Sequence, residues 1–310
     1  MISFRYHVVS LLAVLLALAA GVALGCGPLQ RDDEGTTATE TTGSPTAGDA
    51  SDAGYARFND AFAASLTGDL AKGRLQGRTV SLVVLPGASP AQVSALSTVV
   101  AQAGASLAGA VRISPDLVDP GKRQLVDELG GQLEAGATKV PIDAGAASYE
   151  RLGTLLAYAI GTRVPGGDPI DQQGKSILAG LSTAGLISTD EELQRRGNLV
   201  VVVAGAPEGD DAEARGSAGI VLSVAKALDA ASGGVVLAGP LAAADPSGAL
   251  TAVRQDTAAT ESISTVDSAD VPAGVIVTLL AMVEQAAEGA GQYGVGPGVT
   301  GLRPGVAPTP

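Results

Sequence analysis

Carboxylate, hydroxyl and glycine residues recur directly after short apolar runs of this sequence, and they are its main candidates for chemistry. If the runs are parallel strands, these residues meet at one edge of a sheet, where ligands of such sheets bind. Carboxylates in that cleft would bind a cation or a polar partner. Alternatively, each Asp starts a helix and accepts hydrogen bonds from its backbone N–H groups, a common role that favours this second interpretation. The candidate binding residues are Gly87, Ser89, Gly205, Asp210, Gly239, Asp267 and Asp270.

Residue types needed for most other chemistry are scarce. The chain of 310 residues has one histidine, His7, one cysteine, Cys26, and two methionines. A Ser-His-Asp triad and a clustered zinc or copper site are therefore not predicted. The sequence has no G-x-x-x-x-G-K-[ST] motif, and no G-x-G-x-x-G follows an apolar run, so a nucleotide site is not predicted either. We predict a protein that is not an enzyme and has no cofactor. Carboxylate-only catalysis at 208–211 and 267–270 is the alternative.

The elements that must position these residues alternate between strand and helix patterns. Short runs rich in Val, Leu and Ile predict buried parallel strands, and the regions between them have helical spacing or helix-start signals. Ser89 and Gln92 flank Pro90 as a capping box does at the start of a helix. This alternation predicts an α/β fold with a doubly wound, mostly parallel sheet over residues 55–290. The predicted strands lie at 79–85, 105–113, 139–142, 199–204, 235–238 and 263–266.

The longest apolar run, Val8 to Gly25, contains no charged residue. As a helix it would be about 27 Å long, close to the thickness of a bilayer's hydrocarbon core. Three interpretations remain open: an uncleaved signal-anchor within residues 1–30, a lipoprotein signal with Cys26 as the lipidated residue, and a cleaved secretory signal. The long apolar core favours the anchor. All three export the remainder, and Arg5 ahead of the run predicts a cytoplasmic N-terminus.

Amino-acid composition indicates the character of two further segments and of possible partners. Residues 31–54 are rich in Thr, Asp and Gly and poor in apolar side chains, which predicts a disordered tether. The Gly/Pro-rich tail, 291–310, predicts irregular structure. A net charge of −13 argues against nucleic acid as a partner.

Four stretches carry a family resemblance. They are the N-terminal MISFRYHVVSLLAVLLALAAGVALGCGPL, GRLQGRTVSLVVLPGA at 73–88, STVDSADVPAGVIVTLLAMVEQ at 264–285, and GQYGVGPG in the tail. Together they resemble the actinobacterial copper transport protein B (MctB-like) family. The resemblance implies a pore-forming membrane protein of the cell envelope that exports copper, the transported ion, and confers copper resistance. Members usually follow the anchor with a heptad-patterned coiled coil, whereas this chain has the tether, and Cys26 stands where the family more often has Ser.

Two functions of different classes therefore follow from the sequence. In the first, implied by the resemblance, the chain acts in copper efflux. One spanning helix per chain would then require a homo-oligomer to form a pore. In the second, a non-catalytic α/β domain on a tether binds an envelope protein of the cell wall or of cell division.

Overall fold

In the part of the chain that the structure describes, the strands form one large sheet and one small antiparallel pair. The structure, a computed structural model, describes residues 47–305. The strands are β1 (Thr79–Val84), β2 (Ser106–Ile113), β3 (Asp168–Pro169), β4 (Ile187–Thr189), β5 (Arg195–Arg196), β6 (Leu199–Val203), β7 (Val235–Ala238), β8 (Ile263–Val266) and β9 (Gln292–Tyr293). The large sheet has the order β4-β2-β1-β6-β7-β8-β9, in which β4 is antiparallel to β2 and the other neighbours are parallel. The small pair is β3 with β5.

Helices fill the connections between the strands. Several begin with the signals that the sequence contains, such as Pro at the first helical position of α2 and α10. The helices are α1 (Ala47–Ala71), α2 (Pro90–Gln102), α3 (Pro115–Val118), α4 (Arg123–Gly136), α5 (Ser148–Ile160), α6 (Gln172–Thr183), α7 (Asp211–Ala231), α8 (Ala249–Gln255), α9 (Thr257–Ser262) and α10 (Pro272–Gln285). Short 3₁₀ turns lie at Pro120–Lys122 and Leu241–Ala244.

Both faces of the sheet are buried, which explains why the central strands are continuous apolar runs. Leu82 of β1 and Val201 of β6 point to a core shared with α2 and α10. Val83 and Val202 point the opposite way, to a core shared with α5 and α7. Side chains of a strand alternate between the two faces, so a strand covered on both sides needs apolar residues at every position. The predicted α/β fold with a mostly parallel sheet is confirmed.

The chain reverses its direction of winding between β1 and β6. From β1 it moves outward to β2 and β4, and it then returns to the other side of β1 to form β6. The loops after β1 and β6 therefore leave the sheet toward opposite sides. This topological switch point is where open α/β sheets bind their ligands, outside the carboxyl ends of the strands.

Three details of the sheet differ from the prediction. Residues 139–142 form a turn and not a strand, because Pro141 has no N–H to donate to a ladder. Strand β4 was not predicted, since three residues are too few for a periodic signal. Strand β9 lies in the tail that we predicted to be irregular, where it pairs with β8 at the sheet edge.

The described part of the N-terminal region is helical. Helix α1 begins at Ala47, so residues 47–54 of the predicted tether form its first turns. Ala47, Ala50 and Ala53 favour a helix here, since alanine has the highest helix propensity, whereas Gly48 and Gly54 oppose it. The predicted anchor, Cys26 and residues 31–46 lie outside the described residues. Within 47–305, no helix combines the length and the apolar character needed to cross a membrane.

Candidate functional site

A cavity of about 320 Å³ opens at the switch point between β1 and β6. Its walls are the segments that follow four strands of the sheet, together with the first turns of α7. We call it the switch-point cavity. It is lined by Leu85, Pro86, Pro115, Asp116, Val118, Asp119, Pro120, Ala204–Gly209, Glu213, Ala214, Ser217, Ala218, Val221, Ser247 and Ala249.

The floor of the switch-point cavity is apolar. Val118 after β2 and Ala204 after β6 are buried there, beside Ala214, Ala218 and Val221 of α7. These residues also belong to the core on that face of the sheet or lie next to it. The floor is therefore part of a packed and pre-formed structure, which is typical of sites that bind small molecules.

Four carboxylates stand around the rim: Asp116, Asp119, Glu208 and Glu213. Asp116 is 3.8 Å from the ammonium of Lys122, and Asp119 accepts a hydrogen bond of 2.7 Å from the backbone N–H of Gly121. Among the described residues, Glu208 and Glu213 form no ion pair. The rim is therefore electronegative, with two carboxylates left for an external partner.

The loops on the two sides of the switch point touch through glycines. A Cβ on Gly205 would lie 2.2 Å from the carbonyl carbon of Gly87 and 2.7 Å from the amide nitrogen of Ala88. Gly87 itself has a φ of 74°, in the left-handed region that favours glycine. A Cβ added to Gly87 would meet a carboxylate oxygen of Glu208 at 2.9 Å. Glycine at both positions thus lets the two loops pack closely, and Gly87 leaves space for the Glu208 carboxylate beside it.

Of the predicted binding residues, Gly205 lines the cavity and Gly87 lies beside it. Gly239, which follows β7, packs closely against Ala204, because a Cβ added to Gly239 would lie 3.3 Å from the Ala204 carbonyl oxygen. The sheet edge therefore brings these three glycines together. They shape the backbone of the crevice, and the polar atoms of its rim come from other residues.

The predicted acidic and hydroxyl residues mainly satisfy the backbone. Asp210 accepts hydrogen bonds from the N–H groups of Ala212 and Glu213 at the start of α7, and these bonds lower its pKa. Ser89 caps α2 through the N–H of Ala91. The second half of the predicted capping box is wrong, because Gln92 is buried and donates to the carbonyl of Ala238 instead.

Asp267 and Asp270 lie apart from the residues that line the cavity. Asp267 is fully buried and binds Arg254 at 2.9 Å, and its carboxylate also accepts hydrogen bonds from the N–H groups of Val295 and Gly296. Burial lowers the pKa of Arg254, while its hydrogen bond with Asp267 acts in the opposite direction. Asp270 is exposed. Asp267 is therefore a structural residue that fixes the segment after β9.

The sequence did not predict three of the four rim carboxylates, Asp116, Asp119 and Glu213, or the hydroxyl of Ser247. Asp116 and Asp119 lie in the helical segment after β2, where the pattern shows only helix-start signals. Ser247, which follows β7, lies in a loop without any periodic pattern. These residues come together because the ends of β2, β6 and β7 share one edge of the sheet, and strand order is not visible in a single sequence.

The polar side chains that line the cavity are carboxylates and hydroxyls, so they offer only oxygen atoms to a ligand. Within 47–305, no group of three or more His, Cys, Asp and Glu side chains is arranged to hold a metal ion. Met282, the methionine of α10, is fully buried in the core between that helix and the sheet. Thioether sulfur fills space well in such cores.

Comparison with known proteins identifies the family. A family model described as "Copper transport outer membrane protein, MctB" matches residues 1–304. The chain belongs to the MctB family. It is 31% identical over 320 residues to a protein named "Copper transporter MctB" from Mycobacterium leprae, with 97% of this chain and 99% of the relative covered. Proteins of the same name from Mycobacterium bovis and Mycobacterium tuberculosis are also 31% identical, over 319 residues, covering 96% of this chain and 98% of each relative. All three are named as transporters rather than as enzymes.

The stretches that resemble the MctB family have structural roles in this chain. The stretch at 73–88 forms β1 and the turn at Gly87 beside the switch-point cavity. The stretch at 264–285 supplies most of β8, then Asp267 and α10. The GQYGVGPG stretch forms β9 and the loop whose N–H groups bind Asp267. Asp267 of the third stretch therefore binds the backbone of the fourth stretch directly.

Proposed function

We propose that this protein acts in copper efflux at the cell envelope and contributes to copper tolerance. The observation that carries the proposal is the match of the MctB family model to residues 1–304, together with relatives named as copper transporters over nearly their whole length. Copper enters this proposal as the transported ion and not as a bound cofactor.

In this proposal the N-terminal run from Val8 to Gly25 inserts into the membrane with its N-terminus in the cytoplasm. The α/β domain then lies on the exported side. Copper is normally held by imidazole, thiolate or thioether ligands, whereas the carboxylates of the switch-point cavity suit hard cations. The proposal therefore assigns copper passage to assembled chains and gives the α/β domain a role in assembly or control. A pore built from one helix per chain requires a homo-oligomer.

The test is growth of a deletion strain across a series of copper concentrations, with cell-associated copper measured in parallel. Complementation uses the full chain and, separately, a chain lacking residues 55–310. Copper hypersensitivity with copper accumulation, restored only by the full chain, supports efflux. Unchanged tolerance and unchanged copper content in the deletion strain would exclude it.

A second candidate is an interaction module that binds another envelope protein, and α1 favours it. Tyr55, Phe58 and Phe62 lie on this helix at helical spacing, and each is more than half exposed. The rings of Phe58 and Phe62 stack with their centroids 6.2 Å apart. Exposed aromatic side chains in one stripe are typical of helices that pack into a partner's groove.

A charge placed in the aromatic stripe tests this second function. Phe58→Asp should reduce retention of a cell-wall or cell-division protein in a pull-down from envelope extract. Arg57→Asp, on the neighbouring exposed position, makes the control, since it also adds negative charge to α1 but keeps the stripe. Equal retention by the wild type and Phe58→Asp would remove the support that α1 gives to this function.

A further inference from the structure

We propose that the switch-point cavity binds a small organic cation, namely a protonated amine carried on an apolar body. This proposal concerns the α/β domain alone and does not depend on copper transport. It follows from the shape of the cavity, from the charge of its rim and from one hydroxyl group in its lining.

The size and floor of the cavity suit the apolar body of such a ligand. A volume of about 320 Å³ lies within the range of sites that bind small molecules. The floor offers the side chains of Val118, Ala218 and Val221, which exclude water and give no hydrogen bond. A hydrated inorganic cation gains nothing from such a floor, whereas a hydrocarbon group gains free energy in proportion to the area that it buries there.

The charge of the rim selects the ammonium group. Four carboxylates surround the opening, and the nearby ammonium of Lys122 is paired with one of them, Asp116. Glu208 and Glu213 are without an ion pair in the described part of the chain. Glu208 lies beside Gly87, because a Cβ added to Gly87 would be 2.9 Å from one of its carboxylate oxygens. An ammonium bound there would form charge-assisted hydrogen bonds to both glutamates.

Ser247 supplies a hydroxyl group that a ligand in the cavity can reach. It lines the cavity and is only 9% exposed. Its hydroxyl has no hydrogen-bond partner among residues 47–305, although nearby Thr251 on α8 donates to the carbonyl of Ala244. Because the Ser247 side chain lines the cavity and forms no hydrogen bond within the described part of the chain, its hydroxyl is available to a ligand there. An N–H group of the ligand would complete the hydrogen bonding of Ser247.

Isothermal titration calorimetry on the purified full chain in an uncharged detergent tests the proposal. The probe is phenethylammonium, and 2-phenylethanol is its neutral counterpart of nearly the same shape. We expect saturable binding of the amine, with an affinity at least about tenfold higher than that of the alcohol, as expected for one charged hydrogen bond. Equal affinities, or no saturable binding of phenethylammonium at about ten millimolar, would overturn the proposal.

Two variants with the same change in net charge locate the site. Glu208→Gln/Glu213→Gln keeps the shape of both exposed side chains but removes the two rim charges that form no ion pair, and it should weaken binding of phenethylammonium about tenfold or more. Glu128→Gln/Glu261→Gln removes two exposed carboxylates outside the cavity lining, and it should leave the affinity within about twofold. An equal loss in both double variants would mean unspecific attraction to an acidic protein and would overturn the proposal.

Ser247→Ala tests the hydroxyl group in the cavity lining. The variant removes one oxygen from the cavity wall and should weaken amine binding several-fold, because one hydrogen bond is lost. Ser262→Ala makes the control, since this serine ends α9 and does not line the cavity. Unchanged affinity in Ser247→Ala, with the protein folded as judged by its unfolding transition, would contradict the role given to Ser247.

Discussion

The carboxylate of Asp267 and the guanidinium of Arg254 lie 2.9 Å apart with both side chains buried. Asp267 follows β8, and its two oxygens also accept hydrogen bonds from the N–H groups of Val295 and Gly296, which follow β9. Arg254, at the end of α8, donates further to the carbonyl oxygens of Tyr293 and Pro297. This network joins the Gly/Pro-rich segment after β9 to the edge of the sheet.

Loss of the Asp267 charge should destabilise the protein strongly. Asp267→Asn leaves the Arg254 guanidinium buried without its counter-ion, and breaking a buried pair in this way costs about 3–5 kcal/mol. The measurement is the free energy of unfolding from urea denaturation. In the control Asp190→Asn, the ion pair with Arg112 is exposed, so the loss should be at most about 1 kcal/mol. Similar losses in both variants would contradict the structural role of Asp267.

A methyl group on Gly205 should also lower stability. In Gly205→Ala the new Cβ would lie 2.2 Å from the backbone of Gly87, so one of the two loops must shift. Overpacking of this kind costs about 1–3 kcal/mol in the free energy of unfolding. Gly219→Ala is the matched control in α7, where the Cβ meets no atom within 4 Å. It should raise stability by up to about 1 kcal/mol, and the prediction fails if both variants change stability in the same direction.

Substitution of Asp210 tests its role as the cap of α7. Asp210→Ala removes the cap of α7 and should lower the urea concentration at the unfolding midpoint. Asp210→Ser keeps an oxygen that can accept the same backbone hydrogen bonds, so it should restore most of that loss. If Ser and Ala have equal effects, then the charge of Asp210 and not its capping bond determines the effect.

Asp256 should make part of the stability depend on pH. A hydrogen bond from the N–H of Ala259 and one from the Lys226 ammonium lower the pKa of Asp256 below its ordinary value of 3.8. A carboxylate with a lowered pKa stabilises the fold above its ordinary pKa, and this contribution is lost as pH falls through the lower value.

Acid titration of the free energy of unfolding checks this prediction. Asp256→Asn should flatten the decline in stability between about pH 5 and pH 2 relative to the wild type. The control Glu261→Gln removes an exposed carboxylate from α9 and should keep the wild-type slope. A wild-type slope in Asp256→Asn would show that other groups cause the acid dependence.

The sequence determined the fold class and most of the elements. Short, Val-rich apolar runs such as Leu199–Val203 are typical of strands buried on both faces, so the local pattern predicts a parallel sheet with helices on both sides. The helix starts at Pro90 and Pro272 could also be predicted from the sequence, because proline at the first helical position is a local signal. The four family-like stretches also pointed to the MctB family, which the comparisons confirm.

Only the tertiary structure decided the strand order and, with it, the candidate site. Asp116, Glu208 and Ser247 are far apart in the chain, and they meet because β2, β6 and β7 end at one edge on both sides of the switch point. Asp267 looked like a binding residue in the sequence, yet its surroundings make it one half of a buried ion pair. Local patterns encode backbone periodicity and helix caps, whereas long-range packing determines which polar side chains are left without a partner.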